Sequence, residues 1–137
     1  MIRCGAVMPQ RKIVFPESVQ LLDPDSGQPL AGPEGLLDFT SFLRKLFNNP
    51  LWNESWKQGM AQRSIAQAVK EAIAEKRPAV LIAEEDWEFL ATAAKTPRSA
   101  VFVAGMGMQV ISGFGYHPAV AGQLIPMQLA IINAEVV

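Results

Sequence analysis

The stretch of sequence that decides the fold spans residues 99–134 and reads SAVFVAGMGMQVISGFGYHPAVAGQLIPMQLAIINA. It contains no Asp, Glu, Lys or Arg, whereas residues 1–98 hold all twelve basic side chains and twelve of the thirteen acidic ones. A surface in contact with water is normally rich in charge, so this stretch is expected to be covered. The protein's own core, a membrane or another protein chain could cover it, and each possibility implies a different function.

The composition disfavours a membrane or a nucleic acid as the partner. A membrane-spanning helix needs about 20 mostly apolar residues, but glycines interrupt the run from Gly105 to Gly115, and Pro118 and Pro126 divide the remainder. The formal net charge of −1 gives no general attraction to nucleic acid or to anionic lipid. Residues 36–77 hold seven basic against four acidic side chains, which we interpret as a mildly basic, solvated helical face.

Residues 1–35 are predicted to form a hairpin arm. β-branched residues indicate a strand over 13–22, and a turn signal over 23–27 is followed by a short returning strand at 28–30. Because Pro16 cannot donate a hydrogen bond to a ladder, we expect the first strand to lie at an edge or to be bulged.

Residues 36–97 are predicted to form a helical core. Apolar side chains recur at three- and four-residue steps over 39–47, and a second, longer helix is expected over about 54–77. A short apolar run at 79–83 suits a buried strand, and a third helix begins at Glu84 and ends before Pro97.

Residues 98–137 complete the chain with the uncharged stretch and a C-terminal helix. Two strands at 100–104 and 109–112 form a glycine-rich hairpin, and the last helix begins near Pro118 and is kinked or interrupted at Pro126. The predicted fold is therefore α+β and a single domain over residues 1–137. It has an N-terminal β-hairpin, about four helices around one core, and a second, apolar hairpin before the last helix.

The glycines of the second hairpin invite comparison with the phosphate-binding turn of dinucleotide-binding folds. Gly105 and Gly107 follow an apolar strand, but that fingerprint requires a third glycine where Val110 stands, followed by a helix. The pattern therefore favours a simple glycine-rich turn.

Residues that could carry chemistry are scarce. Cys4 is the single cysteine, which excludes an internal disulfide, and His117 is the single histidine, with no nucleophile at a convincing spacing. Together they are two ligands short of a structural zinc site. The adjacent carboxylates at 84–86 diverge around a helix start, which does not suit acid–base pairing. We predict no catalytic residue, no metal site and no cofactor.

Large apolar side chains indicate an interaction surface in place of a catalytic or metal site. Met and Trp are favoured at interfaces, and flexible glycines leave neighbouring side chains free to insert into another chain. The predicted interaction residues are Met106, Met108, Phe114, Tyr116, Trp52 and Trp56. For Trp52 and Trp56, a place in the core as ordinary buried residues is the other interpretation.

The order of these segments resembles small proteins encoded in the structural-gene clusters of tailed bacteriophages. The resemblance rests on LDPDSGQPL at 22–30, a helix ending in Asn-Pro over 39–50, DWEFL at 86–90, and Pro118 followed by QLIP at 123–126. It spans most of the chain, whereas the segment 100–115 is an addition to the pattern. It implies a virion component or an assembly factor such as a tail-assembly chaperone, located in the host cytoplasm during assembly and in some cases in the virion.

Three classes of function follow from the sequence. The first is a non-catalytic structural or assembly protein that binds protein partners and forms a homo-oligomer or a larger assembly. The second is a regulatory module that binds a small ligand or a peptide in a pocket lined by the glycine-rich segment. The third, a small enzyme, is disfavoured because no nucleophile is paired with a base.

Overall fold

The computed structural model describes residues 9–30, 35–114, 116 and 118–137, and these form an α+β fold. The strands are β1 (Gln10–Val14), β2 (Val19–Gln20), β3 (Leu36–Leu37), β4 (Ala79–Ala83), β5 (Arg98–Val103), β6 (Gly107–Ser112) and β7 (Glu135–Val136). The helices are α1 (Phe39–Phe47), α2 (Trp56–Ala74), α3 (Glu84–Lys95), α4 (Pro118–Ala121) and α5 (Ile125–Ile132), with 3₁₀ turns at Pro50–Asn53 and Gly122–Leu124.

The two long N-terminal helices have caps that explain their bounds. The Asp38 side chain accepts a hydrogen bond from the Ser41 N–H and so starts α1. The predicted second helix begins later than expected, at Trp56, because Ser55 caps it by accepting a hydrogen bond from the Gln58 N–H, after a 3₁₀ turn over Pro50–Asn53. Beyond its end, Lys76 has a φ of +57° in a Schellman arrangement, in which the Arg77 N–H bonds back to an α2 carbonyl.

Strand β1 lies at the centre of a three-stranded antiparallel sheet in the order β4–β1–β7. The expected edge strand over 13–22 is therefore wrong: β1 ends at Val14, before Pro16, so the proline never enters the ladder. Ile13 and its neighbour Val80 are buried on the inner face of this sheet.

The predicted N-terminal hairpin involves β2 and β3 instead. These strands pair antiparallel, and Leu22 forms a bridge with Pro29 around a turn in which the Asp23 side chain accepts the Asp25 N–H at 2.8 Å. Of the predicted hairpin arm, residues 1–8 and 31–34 lie outside the described residues.

Helix α3 lies at the centre of the core, where it contacts α1, α2, α5 and the three-stranded sheet. Small side chains permit these close approaches, because Ala91, Ala93 and Ala94 are all buried. The Trp87 indole N–H donates to the carbonyl of Ile131 at 2.8 Å, which ties α3 to α5.

The uncharged stretch divides between core and surface. One face of its C-terminal part is covered by the protein itself, because Val120, Leu124, Met127 and Ile131 are buried, whereas Ile125 and Leu129 are about half exposed. Its N-terminal part forms the predicted hairpin, β5 and β6, whose side chains are largely exposed. At the hairpin tip the Met106 N–H bonds to the Val103 carbonyl, and this turn requires a φ of +82° at Gly105, where glycine is favoured.

Candidate interaction surface

The hairpin formed by β5 and β6 exposes a contiguous set of apolar side chains. Phe102 is 74% exposed and lies directly opposite Met108, which is 64% exposed. Val110 lies on the same face, two residue pairs further along, and is half exposed, while Met106 projects from the tip. Directly opposite residues on one face of an antiparallel pair are in contact range, so these side chains form one apolar patch, which we call the hairpin patch.

The root of the hairpin is fixed to the helical core. The Asn48 side-chain amide donates to the Ala100 carbonyl at 2.9 Å, and the Ala100 N–H donates to the Asn48 carbonyl at 3.3 Å. The Gly113 N–H bonds to the Pro97 carbonyl at 2.7 Å. Asn48, the residue that ends α1, therefore covers the outer edge of β5.

The outer edge of β6 is open. Within the described ranges β6 pairs only with β5, so its outward N–H and C=O groups face no strand. Natural proteins usually protect such an edge with charged side chains or proline, but the sequence of β6, GMQVIS, contains neither. The open edge and the hairpin patch belong to the same element.

The predicted interaction residues divide into surface and core positions. Met106 and Met108 lie on the hairpin, and Trp56 is 73% exposed at the start of α2. Trp52 and Phe114 must be removed from the surface set, because both are buried: Phe114 packs against the ring of Phe42, and Trp52 is 1% exposed. Two tryptophans only four residues apart therefore have opposite environments.

Tyr116 is half-buried and lines a groove between α1 and β5. The Lys45 ammonium lies 4.4 Å from the centroid of its ring, a cation–π contact. Its hydroxyl oxygen is buried and has no hydrogen-bond partner among the residues that the structure describes; a buried polar group left unpaired costs about 1–3 kcal/mol. The groove has a volume of about 510 Å³ and is also lined by Ser41, Arg44, Asn48, Ser99, Val101 and Phe114.

This groove is not apparent from the sequence. Its signal there is the pair of adjacent basic residues at the end of α1, which the sequence alone indicates as part of a solvated helical face. Their position opposite β5 depends on contacts between residues about fifty positions apart, as in the pairing of Asn48 with Ala100, and spacing along the chain does not reveal such contacts.

A charged cluster joins β1, α3 and the C-terminal segment. The Arg11 guanidinium pairs with both carboxylate oxygens of Glu84, at 2.6 and 2.8 Å, and donates to the Ala134 carbonyl at 3.0 Å. It also stacks 3.9 Å from the centroid of the Trp87 ring. The hydrogen bond from Arg11 lowers the pKa of Glu84, whose carboxylate therefore stays ionised and serves as a structural anchor.

Asp86 differs from Glu84 in its surroundings. Burial raises its pKa, and the nearby charge of Glu85 raises it further, while a hydrogen bond with Ser64 acts in the opposite direction. A raised pKa occurs at some acid–base sites.

The described residues contain no group of three or more His, Cys, Asp or Glu side chains placed to hold a metal ion.

Two further predictions lie beyond the described residues, because Cys4 and His117 are both outside them. Among the residues that the structure does describe, no helix has both the length and the apolar character needed to cross a membrane.

Comparison with protein-family models, with curated proteins and with solved structures gives no match to this chain. The hairpin patch, the open edge of β6 and the groove beside α1 are therefore the features that bear on function.

Proposed function

We propose that this chain is a non-catalytic structural or assembly protein that acts through protein–protein contacts made by the β5–β6 hairpin. The observation that carries the proposal is the hairpin patch, an apolar surface on an element with an unprotected strand edge. The bacteriophage resemblance adds that the chain is a virion or tail-assembly component, present in the host cytoplasm during assembly and in some cases kept in the particle.

The size of the hairpin patch supports an interface. A large apolar side chain such as phenylalanine presents about 150–250 Å² when it is fully exposed. Because Phe102, Met106, Met108 and Val110 are half to three-quarters exposed, together they expose on the order of 400–500 Å². Exposed apolar patches above a few hundred Å² are rare on monomers and mark contact sites. A stable interface buries about 800 Å² on each partner, so the patch would supply roughly half of one.

The occupant that fits best is a second copy of this chain. Edge strands of identical sequence can pair antiparallel about a two-fold axis, because the same surface then meets itself. The β6 edge carries no charge that would repel its own copy. Pairing would also extend an isolated two-stranded hairpin, which is marginally stable in water, into a four-stranded sheet.

The test is sedimentation equilibrium of the full chain over a wide concentration range. The wild type is expected to self-associate, and the double variant Phe102→Ser/Met108→Ser is expected to weaken association at least about 30-fold, since interface hot spots contribute about 2 kcal/mol or more. Both side chains are exposed, so the melting temperature of the dilute, unassociated chain should hardly change. The matched control is Leu81→Ser, which removes a half-exposed apolar side chain from β4.

Two outcomes would contradict the proposal. One is a wild type that remains monomeric at high concentration, and the other is an equal effect of the hairpin and Leu81 variants on association. The bacteriophage part has its own test: deletion of the gene in the phage that encodes it should give particles with defective tails or capsids by electron microscopy. Normal infectious particles would refute that part alone.

The second function, a ligand-binding regulatory module, is supported by one separate observation. The groove between α1 and β5 combines apolar walls with a few polar side chains, which is the usual composition of a small-molecule site.

A further inference from the structure

The groove between α1 and β5 is basic and has no acidic wall. Arg44 and Lys45 both line it, and in the described part of the chain no acidic side chain does. The ion pairs that the structure shows involve other residues, namely Arg11 with Glu84, Lys57 with Glu85, and Arg77 with Glu75. An anion entering the groove would therefore meet two cations without displacing a carboxylate.

Basic side chains at the end of a helix often serve only to complement its last carbonyls, but here those carbonyls have other partners. The Lys45 carbonyl accepts the Asn48 N–H, and the Leu46 carbonyl accepts both the Asn49 N–H and the Trp52 indole N–H. The Phe47 carbonyl receives the side-chain amide of Gln62. The two cations are thus not required to satisfy the end of α1.

The walls of the groove add an apolar component. Val101, Phe114, Leu36 and Leu37 contribute apolar side chains to its lining. Tyr116 also lines the groove, with its ring in contact with the Lys45 ammonium. The volume of about 510 Å³ lies within the range of about 300–1,000 Å³ that is usual for small-molecule sites.

We infer that this groove binds a small anion, a carboxylate or a phosphate ester, that carries an apolar body. Arg44 and Lys45 would bind the anionic group, and the apolar walls would take the remainder of the ligand. The inference rests on the second of the two proposed functions and is independent of the first, because the hairpin patch has no residue in common with the groove lining.

The experiment titrates the full chain with three probes and follows backbone amide shifts by NMR. The probes are naphthalene-2-carboxylate, its neutral carboxamide, and inorganic phosphate. A probe of this size that fits is expected to bind with a Kd on the order of 1 mM. The carboxylate should shift amides of α1 and β5 saturably and bind at least about 10-fold tighter than the carboxamide, while phosphate alone should bind more weakly than the carboxylate.

Variants then assign the binding to the two cations. Arg44→Gln/Lys45→Gln is expected to weaken carboxylate binding at least about 10-fold, whereas Arg63→Gln, which removes an exposed cation from α2 outside the groove, should leave the Kd unchanged. Amide spectra of the free variants establish that each is folded. Equal binding of carboxylate and carboxamide, an equal loss in both variants, or no saturable binding would each overturn the inference. Loss of self-association in the hairpin variant with intact carboxylate binding would separate the two functions.

Discussion

Trp52 and Trp56 form a matched pair for testing whether the core has been assigned correctly. Both are tryptophans, and they lie four residues apart. Trp52 is 1% exposed, its indole N–H donates to the Leu46 carbonyl at 2.9 Å, and its ring meets that of Phe47 edge-on at 5.3 Å. Trp56 is 73% exposed. We expect alanine to be costly at the first position and nearly neutral for stability at the second.

The magnitude follows from what each substitution removes. Truncating a buried tryptophan to alanine lowers the free energy of unfolding by about 3–5 kcal/mol. The lost hydrogen bond adds little, because the Leu46 carbonyl keeps the Asn49 N–H at 3.1 Å and is not left unpaired. Domains of this size are stable by about 5–15 kcal/mol, so Trp52→Ala should remain folded with a Tm lower by roughly 10–20 °C. Trp56→Ala should change stability by no more than about 0.5 kcal/mol.

The assay is urea unfolding followed by far-ultraviolet circular dichroism, which does not depend on the tryptophan that each variant loses. Equal slopes of the transitions would show that the comparison is one of stability alone. A Trp52→Ala variant within about 1 kcal/mol of the wild type, or a Trp56→Ala variant that is equally destabilised, would refute the assignment. Any effect of Trp56→Ala is expected in association, where its role as an interaction residue stays a prediction.

Two other predictions concern charge and backbone conformation. Arg11 lowers the pKa of Glu84, so this pair stabilises the fold fully above the ordinary pKa of the carboxylate, and the contribution is lost as pH falls through the lower folded-state pKa. Urea midpoints should therefore differ most between the wild type and Glu84→Gln at neutral pH and least at about pH 2; a difference that is constant with pH would contradict this. Gly105→Ala should destabilise the fold by about 1 kcal/mol, because alanine disfavours a φ of +82°; nothing lies within 4 Å of the added carbon, so no clash contributes. Lys76→Gly should stabilise the fold by a similar amount, because it places glycine at a φ of +57°. Thermal unfolding measures both, and effects of equal sign would exclude backbone strain as the cause.

The elements that could be predicted from the sequence are those whose determinants are local. Helix α1 follows from its apolar spacing and from Asp38 at its start, and β4 follows from a short apolar run between a proline and three acids. The β5–β6 hairpin follows from two apolar runs separated by glycines.

The place of β1 and the environment of the tryptophans could not be predicted in the same way. The partners of β1 lie far along the chain, so nothing near Ile13 distinguishes a central strand from an edge strand. Apolar character alone gives Trp52 and Trp56 the same two interpretations, core or interface, whereas the 3₁₀ turn at Pro50–Asn53 directs only the first into the core. Composition likewise does not reveal which residues of the uncharged stretch are buried and which are exposed, because packing in the folded chain decides this.

The central position of β1 has a consequence for how the chain folds during synthesis. Arg11 pairs with Glu84, 73 residues downstream, and with the Ala134 carbonyl, 123 residues downstream. At about 5–20 residues per second, the last of these partners leaves the ribosome roughly 6–25 s after Arg11. Until then the inner face of β1 has only part of its cover, and such long-range contacts form slowly. Under the proposed self-association, nascent chains on neighbouring ribosomes would therefore meet while both this face and the hairpin are open, so the timing of translation would influence which copies pair.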